Sequence, residues 1–330
     1  KKGALKKAPF FKIIVKKERN MTVDVIIPTY KPDQRFFELI ALLDKQTFPI
    51  SHIRIINTEE KYFEKIIYGR RYEEEYRNLC VTHISRREFD HAATRSHAVA
   101  HSDADIFVMM TMDAYPKDTH LIENLVKALV PDNVAVSYAR QLANPDAGMI
   151  EQFTRNYNYP DTSCMKSKED IEKLGIKTFF CSDVCAAYKR DIFDRLGGYP
   201  DHAIFNEDMI YAHKAIMAGY SIAYAADACV YHSHNYTGVQ QFHRNFDMGV
   251  SQADHPEVFA SVPAEGEGIS MVKKTARYLI GQKQGLQIFK LIYISGCKYL
   301  GYLLGRHYRK LPEKWILHFT ADRNYWKNLY

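Results

Sequence analysis

A run of five apolar residues, Ile106–Met110, most constrains how this chain folds. It is too short for a helix and has polar neighbours, which is typical of a buried strand in a parallel sheet. Pro116 is predicted to end this strand, because proline cannot donate to the ladder. Ligands of open α/β sheets bind beyond the carboxyl ends of strands. Asp113 is therefore a candidate to hold a hard cation and its phosphates, and the alternative is that it caps a helix beginning near Thr119.

Short apolar runs alternate with amphipathic segments along the first half of the chain. The apolar runs predict strands at 23–30, 53–57, 81–84, 106–110 and 134–138. The amphipathic segments predict helices at 35–46, 66–76, 91–101 and 119–129. After residue 139 the alternation breaks down, and the later segments predict strands at 184–188, 221–225 and 229–231 and a helix at 207–218. This pattern indicates an α/β fold with a mostly parallel sheet flanked by helices.

The net charge of +6 is unevenly distributed along the 330 residues. Residues 1–19 carry +7 and residues 271–330 carry +10, which leaves −11 for the rest of the chain. An acidic body with basic ends is unlike a nucleic-acid groove, so no nucleic-acid partner is expected. The pattern favours a body held to an anionic membrane surface, where each basic residue contributes about 1 kcal/mol.

Three regions are predicted: a basic arm at 1–20, an α/β domain at 21–255 and a basic, amphipathic helical region at 256–330. In the third region, a linker at 263–268 precedes helices at 271–285 and 286–305. Lys290 and Lys298 interrupt the most apolar stretch, so these helices are expected to lie on a membrane surface without crossing it. The alternative is a bundle that packs on the body or on a partner. The sequence leaves the oligomeric state open, and a homo-oligomer is one of the alternatives.

The six cysteines are scattered and lack the spacing of a zinc site, so free thiols in a reducing cytosol are expected. The first apolar run, at 10–15, is short and contains Lys12. It therefore predicts no signal peptide.

Polar side chains follow four successive predicted strands. Thr29 and Tyr30 follow the first strand, Asn57 the second, Asp90 and Arg95 the third, and Asp113 the fourth. Tyr30 can cover a nucleobase, Asn57 can pair with a pyrimidine edge, and Arg95 can bind a diphosphate. Singly, these residues favour ordinary roles: packing for Tyr30, turn formation for Asn57, the N-cap of the helix predicted at 91–101 for Asp90 and surface charge for Arg95. Together they favour a nucleotide pocket.

The second half of the chain supplies a carboxylate pair and a histidine pair. Glu207 and Asp208 open a predicted helix, where they interact favourably with its dipole, and one of them can also act as a general base. His232 and His234 lie two apart at a strand end and point to the same side. Each can be structural, or can join Asp113 in a site compatible with Mg²⁺ or Mn²⁺.

Six motifs in order resemble the family 2 glycosyltransferases of the GT-A fold, and more narrowly the bacterial rhamnosyltransferases of cell-surface polysaccharide synthesis. They span about residues 21–240 and are VIIPTY at 25–30, FDHAATR at 89–95, TMDAYP at 111–116, LGGY at 196–199, FNED at 205–208 and VYHSHNY at 230–236. The resemblance implies an inverting hexosyltransferase with a GT-A (Rossmann-like) domain.

The resemblance also implies substrates and a location. The expected donor is the nucleotide sugar dTDP-L-rhamnose, and the expected acceptor is a hydroxyl of a lipid-linked glycan. The enzyme is expected to act peripherally at the cytoplasmic face of the bacterial cell membrane. Two alternatives remain open: a glycosyltransferase that uses another nucleotide sugar such as a UDP-hexose, and a non-catalytic membrane-surface or carbohydrate-binding protein.

The matching positions imply residue roles. Asp208 is the expected base, and Asp113, His232 and His234 are the expected ligands of Mg²⁺ or Mn²⁺. The residues expected to bind the donor are Pro28, Thr29, Tyr30, Asn57, Asp90, Arg95 and Glu207. Two positions depart from the family pattern: Thr111 replaces the first aspartate of the usual Asp-x-Asp, and Asn57 stands where many relatives have Asp. The first departure predicts weaker metal binding that depends on substrate phosphate, and leaves metal-independent activity open.

Overall fold

The computed structural model describes residues 21–260 and 265–327, which are built around a nine-stranded sheet. The strands are β1 (Val23–Tyr30), β2 (His52–Thr58), β3 (Leu79–Ile84), β4 (Ile106–Met110), β5 (Tyr115–Pro116), β6 (Val134–Leu142), β7 (Cys164–Lys166), β8 (Cys185–Lys189) and β9 (Ser221–Tyr231). They pair in the order β3-β2-β1-β4-β8-β6-β9-β5, and β7 also pairs with β9. The predicted arm at 1–20 lies outside the described residues.

Helices cover both faces of this sheet and form the C-terminal region. They are α1 (Arg35–Asp44), α2 (Glu60–Ile67), α3 (Tyr72–Glu75), α4 (His91–Ala100), α5 (Leu121–Ala128), α6 (Met149–Asn158), α7 (Ile171–Leu174), α8 (Arg190–Arg195), α9 (Glu207–Met217), α10 (Gly238–Asp254), α11 (Pro256–Phe259), α12 (Glu265–Gly281), α13 (Gln287–Arg306), α14 (Glu313–Phe319) and α15 (Arg323–Lys327). Short 3₁₀ turns lie at 168–170, 175–179 and 308–310. The α/β class is confirmed.

The sheet is mixed, because only its first half follows the predicted parallel arrangement. Strands β1 to β4 are mutually parallel. Strand β8 then runs antiparallel between β4 and β6, while β6 and β9 are parallel. As a result, the amino end of β8 lies at the same sheet edge as the carboxyl ends of β4, β6 and β9. The loop before β8 therefore reaches the edge where ligands of such sheets bind.

Some predicted element boundaries were wrong. The helix predicted at 66–76 is two helices, α2 and α3, separated near Gly69, which adopts a φ of 77°. Strand β9 is continuous where two strands were predicted, and an irregularity in its register with β6 absorbs the break. Helix α12 begins at Glu265, inside the predicted linker. Pro116 lies in the short edge strand β5, where proline is tolerated, and β4 already ends at Met110.

Two apolar layers hold the helices on the sheet. On one face, buried side chains of α1, α2 and α5 pack on the strands, as with Leu39, Phe63 and Leu125. On the other face, α4, α8 and α9 pack with side chains such as Phe193 and Tyr211. Each fully buried side chain of this kind stabilises the fold by about 1.5–3 kcal/mol. All six cysteines are free.

The C-terminal helices attach to the body through a close contact between α10 and α13. Modelling a Cβ on Gly301 would place it 2.2 Å from the Phe242 carbonyl oxygen, and one on Gly305 would lie 2.1 Å from that of Phe246. Glycine therefore sets the spacing of these helices. A third apolar cluster, which includes Phe246 and Trp326, ties α14 and α15 to α10. Within the described residues, no helix is both long and apolar enough to cross a membrane.

Candidate active site

Asp113, His232 and His234 converge at the sheet edge beyond β4 and β9. Asp113 Oδ2 lies 3.2 Å from His234 Nε2, and its Oδ1 lies 3.5 Å from His232 Nε2. One possible ligand atom from each residue lies within 4.8 Å of the others. The alternative role of Asp113 as a helix cap is wrong, because α5 begins at Leu121 and no side chain caps it.

Gln141 orients the histidine pair. Its Oε1 lies 3.1 Å from His232 Nδ1, and its Nε2 donates to Ser182 Oγ over 2.9 Å. Because Gln141 Oε1 faces the His232 ring, the Nδ1–H of His232 donates to it. The lone pair on His232 Nε2 then points towards Asp113 and towards His234, whose Nε2 lies 3.1 Å from His232 Nε2. A metal-binding histidine usually donates its second N–H in this way. One carboxylate and two imidazoles with converging lone pairs therefore fit a divalent cation.

The environment keeps His232 neutral. Burial lowers the pKa of His232 to about 3, against the opposing effect of Asp113, and the positive charge of Arg155 also lowers it. Burial likewise lowers the pKa of His234. Neutral imidazole is the form that binds metals.

Asp208 lies in the first turn of α9, beside the loop before β8. Its Oδ2 accepts a hydrogen bond of 3.0 Å from the backbone N–H of Asp183. Burial, followed by the negative charges of Asp183 and Glu207, raises the pKa of the Asp208 carboxyl well above its usual value. The side chain keeps partial access to solvent. A half-buried carboxylate with a raised pKa has the properties of a general base.

A buried arginine, Arg95, forms ion pairs with the other two carboxylates of this cluster, those of Glu207 and Asp183. Arg95 Nη1 lies 3.2 Å from Glu207 Oε1, and its Nε lies 3.6 Å from Asp183 Oδ2. All three side chains are buried. Burial raises the pKa of Asp183 to about 6, although Arg95 opposes this shift. Arg95 thus fixes α4 against α9 and the loop before β8.

The metal-binding cluster and the carboxylate cluster share one sheet edge. The backbone N–H of Thr111 donates to Val184 O over 3.1 Å, which joins the loop that carries Asp113 to the loop before β8. A hydrogen-bonded path also runs from His232 through Gln141 and Ser182 to the neighbouring Asp183, and from there to Asp208. The two clusters therefore lie at the same edge of the sheet.

Arg244 forms a second link between the two clusters. The Arg244 guanidinium lies 5.0 Å from the Tyr236 ring centroid and 5.4 Å from that of Phe205. Tyr236 stacks on the His234 ring at 4.6 Å, and Phe205 precedes Asp208 by three residues. Arg244 consequently places a positive charge between the two clusters.

The other predicted donor-binding residues gather at the ends of β1, β2 and β3. Thr29 donates to Asn57 Oδ1 over 3.3 Å, and the Asn57 amide nitrogen lies 3.0 Å from His83 Nδ1. Asn57 is fully buried, whereas His83 is exposed. Tyr30 is exposed and packs edge-on against Tyr62 at 5.6 Å. Pro28 is half-buried within β1, opposite Ile56 of β2.

Asp90 acts as the N-cap of α4, as the sequence predicted. Its Oδ1 accepts hydrogen bonds from the backbone N–H groups of Ala92 and Ala93. His202 Nδ1 lies 3.5 Å from its other carboxylate oxygen.

Sequence reasoning missed three residues that shape the site: Gln141, Arg155 and Arg244. Arg155 pairs with Glu151 over 2.7 Å and also donates to Gln141 Oε1. The sequence signal for Arg244 is its position ten residues after His234, on the helix that follows the histidine motif. Gln141 carries no such signal, because strand pairing alone brings it to the site.

Comparison with known proteins gives the class of this chain. Residues 24–197 match the family described as "Glycosyl transferase family 2". The O-antigen chain rhamnosyltransferase RfbN of Salmonella typhimurium is 37% identical over 311 residues, which cover 94% of this chain and 97% of that protein. WbaN of Salmonella anatum, which bears the same description, is 37% identical over 314 residues, covering 92% and 96%.

A solved structure shares the fold. The mannosyltransferase PcManGT from Pyrobaculum calidifontis, determined in complex with GDP-Man and Mn²⁺, matches with a TM-score of 0.54 and 17% identity, covering 94% of this chain and 87% of that one. The GT-A-like fold is therefore confirmed. The chain belongs to glycosyl transferase family 2. It is a glycosyltransferase, and the non-catalytic alternative is wrong.

Proposed function

We propose that this chain is an inverting rhamnosyltransferase that transfers L-rhamnose from dTDP-L-rhamnose to a hydroxyl of a lipid-linked glycan in cell-surface polysaccharide synthesis. The names of its two relatives support the sugar and the process, since they match at 37% identity over nearly their whole length. The observation that carries the mechanism is the shared sheet edge, where Asp208 and the Asp113 cluster are linked through Gln141 and Asp183.

Asp208 is the proposed catalytic base. It removes the proton from an acceptor hydroxyl, whose oxygen attacks the anomeric carbon of the donor from the face opposite the leaving group. The new glycosidic bond forms as the bond from the anomeric carbon to the diphosphate oxygen breaks, and the nucleoside diphosphate leaves with the electron pair. A positioned base contributes about 10²–10⁴-fold to such a step. Direct displacement inverts the configuration.

Asp113, His232 and His234 are the proposed ligands of Mg²⁺ or Mn²⁺. When bound, the ion would stabilise the negative charge that develops on the leaving diphosphate. The protein supplies only one carboxylate, because Thr111 replaces the first aspartate of the family motif. We therefore expect weak metal affinity without the nucleotide and tighter binding once substrate phosphate completes the ligand set.

The proposed donor pocket lies at the ends of β1 to β3. Tyr30 stacks on the nucleobase, while Pro28 and Thr29 form its wall. Asn57 is fully buried between Thr29 and His83, so its amide acts on the base edge through His83. Asp90 fixes the start of α4 beside the pocket.

Arg95 and Glu207 were predicted to contact the donor, and we now propose positioning roles for both. The Arg95 guanidinium already meets the carboxylates of Glu207 and Asp183 in a buried site. The ion pair holds the first turn of α9, and with it Asp208, against the loop before β8.

The C-terminal helices are the proposed membrane-facing region, which keeps the division at 21–255 and 256–330. Helix α13 exposes an apolar stripe at helical spacing that consists of Phe289, Ile292, Tyr293, Tyr299, Leu300 and Leu303. The side of α13 that carries Gly301 and Gly305 packs on α10. A helix of this kind, in a region with a net charge of +10, can lie in the interface of an anionic leaflet. This supports peripheral binding at the cytoplasmic face of the membrane.

A panel of nucleotide sugars tests the proposal. Purified protein is incubated with dTDP-L-rhamnose, UDP-glucose, UDP-GlcNAc and GDP-mannose, with Mn²⁺ or with EDTA, and scored for thermal protection and slow donor hydrolysis. We expect a response to dTDP-L-rhamnose that EDTA suppresses. A stronger response to a UDP-hexose would identify that nucleotide sugar as the donor in place of dTDP-L-rhamnose. Equal responses to dTDP-L-rhamnose with Mn²⁺ and with EDTA would contradict the metal site.

A further inference from the structure

Two adjoining cavities lie outside the catalytic clusters, one between α10, α13 and α14 and the other between α10 and the segment that joins α14 to α15. The first, of about 500 Å³, is lined mainly by apolar side chains that include Phe242, Leu300 and Phe319. The second has a volume of about 440 Å³ and reaches the start of α15. His243 and His318 line both cavities, so the two are neighbours along one groove.

The second cavity is cationic. Arg244 and Arg323 line it together with the two shared histidines, and its described lining residues include no acidic side chain. Both arginines are exposed. Arginine binds phosphate through two parallel N–H donors. A cationic cavity beside an apolar one fits an amphiphile in which a long apolar chain is joined to phosphate.

The cationic cavity borders the catalytic site. Tyr236 lines it and stacks on the ring of His234 at 4.6 Å. Arg244 lines it as well and lies 5.4 Å from the ring of Phe205, close to the start of α9. A group attached to a phosphate in this cavity would therefore extend towards Asp208.

The apolar cavity opens on the exposed stripe of α13. Ile292, Tyr293 and Leu300 line the cavity and are also 60%, 57% and 51% exposed. Since this stripe is the proposed membrane-facing surface, an apolar chain can pass from the bilayer into the cavity without crossing a polar surface.

We propose that the paired cavities bind the lipid phosphate of the acceptor. The apolar chain lies in the first cavity, the phosphate or diphosphate contacts Arg323 and Arg244 in the second, and the attached glycan reaches Asp208. This assignment rests on the proposed function, from which it takes a lipid-linked acceptor. It adds the location of the lipid and the residues that recognise it.

Binding of dodecyl diphosphate below its micelle concentration tests the site. The dissociation constant is measured by calorimetry for the full chain and for two variants, Arg323→Gln in the cationic cavity and Gly296→Phe in the apolar one. No neighbouring atom lies within 4 Å of a Cβ at Gly296, so a larger side chain can enter the cavity without clashing with the backbone. Loss of a contact to a charged group costs about 1.5–3 kcal/mol, so we expect at least a tenfold weaker binding in Arg323→Gln.

Matched variants serve as controls. Lys314→Gln removes an exposed charge of α14 that lines neither cavity, and Gly281→Phe adds a ring at a glycine with open space elsewhere. Both should bind dodecyl diphosphate like the unaltered chain. Arg323→Gln should weaken the binding of inorganic diphosphate, and Gly296→Phe should leave it unchanged. Gly296→Phe should weaken the binding of dodecanol, and Arg323→Gln should leave it unchanged. Thermal unfolding of each variant verifies that the fold is intact.

The outcomes separate this inference from the proposed function. Equal binding of dodecyl diphosphate by all five proteins, or its full displacement by dTDP, would overturn the lipid site. Slow hydrolysis of dTDP-L-rhamnose should continue unchanged in Arg323→Gln and Gly296→Phe, because neither residue lies in the donor site. If the unaltered chain hydrolyses no nucleotide sugar yet binds dodecyl diphosphate as expected, the proposed function fails and the lipid site stands.

Discussion

Asp183 donates its backbone N–H to the carboxylate of Asp208 over 3.0 Å, and this bond joins the proposed base to the strand edge that carries the proposed metal site. The bond depends on the antiparallel strand β8, whose amino end meets the carboxyl ends of its neighbours. The base is therefore held by backbone geometry, and its pKa is raised first by burial and then by the neighbouring carboxylates of Asp183 and Glu207.

The pH dependence of transfer follows from this environment of Asp208. Burial and two neighbouring carboxylates raise the pKa of Asp208, so the deprotonated base is lost as pH falls through a value well above the 3.9 of an ordinary aspartate. We expect the acid limb of kcat/KM to reflect this raised pKa. Asp183→Asn removes the nearest negative charge and should shift the limb to lower pH. A limb that is unchanged by Asp183→Asn would contradict the electrostatic coupling.

Gln141 should control metal affinity without touching the metal. Gln141→Leu removes the acceptor that fixes the Nδ1–H of His232, so the ring can rotate and change its tautomer. Loss of such an orienting partner lowers metal affinity by about 10–100-fold. Calorimetric titration of Mn²⁺ in the presence of dTDP measures the change. Gln282→Leu, at an exposed position, is the control and should leave the affinity unaltered.

Removal of Arg95 should destabilise the whole domain. Arg95→Met leaves the buried carboxylates of Asp183 and Glu207 without their partner, which costs about 3–5 kcal/mol in the free energy of unfolding. Adding Glu207→Gln should recover part of this loss. The exposed pair of Arg71 and Glu74 is the control, and Arg71→Met should cost less than about 1 kcal/mol in urea unfolding.

The glycines of α13 make a separate structural prediction. Gly305→Val would place a side chain against the Phe246 carbonyl, so α13 must move away from α10. Overpacking of this kind costs about 1–3 kcal/mol or more. Gly296→Ala, in the same helix but facing open space, should be neutral or stabilising by up to about 1 kcal/mol. Equal effects of the two changes on urea unfolding would show that the close helix contact is absent.

The sequence predicts those residues of the site that directly follow regular strands. Short apolar runs predict β1 to β4, and the polar residues that follow them, such as Asp113, do lie at one sheet edge. The spacing of His232 and His234 likewise predicts that both point to one side, and the two rings meet.

Other parts of the site depend on pairings that local patterns do not encode. Gln141 reaches His232 because β6 lies beside β9, with Gln141 opposite Val230. Asp183 reaches Asp208 because β8 inserts antiparallel between two strands that the alternation of strands and helices predicts to be parallel. The ion pair of Arg95 with Glu207 joins helices more than 100 residues apart in the chain, and periodicity alone predicts Arg95 as a surface charge.

The most direct test of the central claim is the effect of Asp208→Asn on transfer and on donor binding, measured on the same protein. If Asp208 is the base, turnover should fall by about 10²–10⁴-fold while the dissociation constant of dTDP-L-rhamnose with Mn²⁺ stays nearly unchanged. Asp201→Asn, at an exposed position, should alter neither quantity. Parallel losses of turnover and donor affinity in Asp208→Asn would contradict its role as the base.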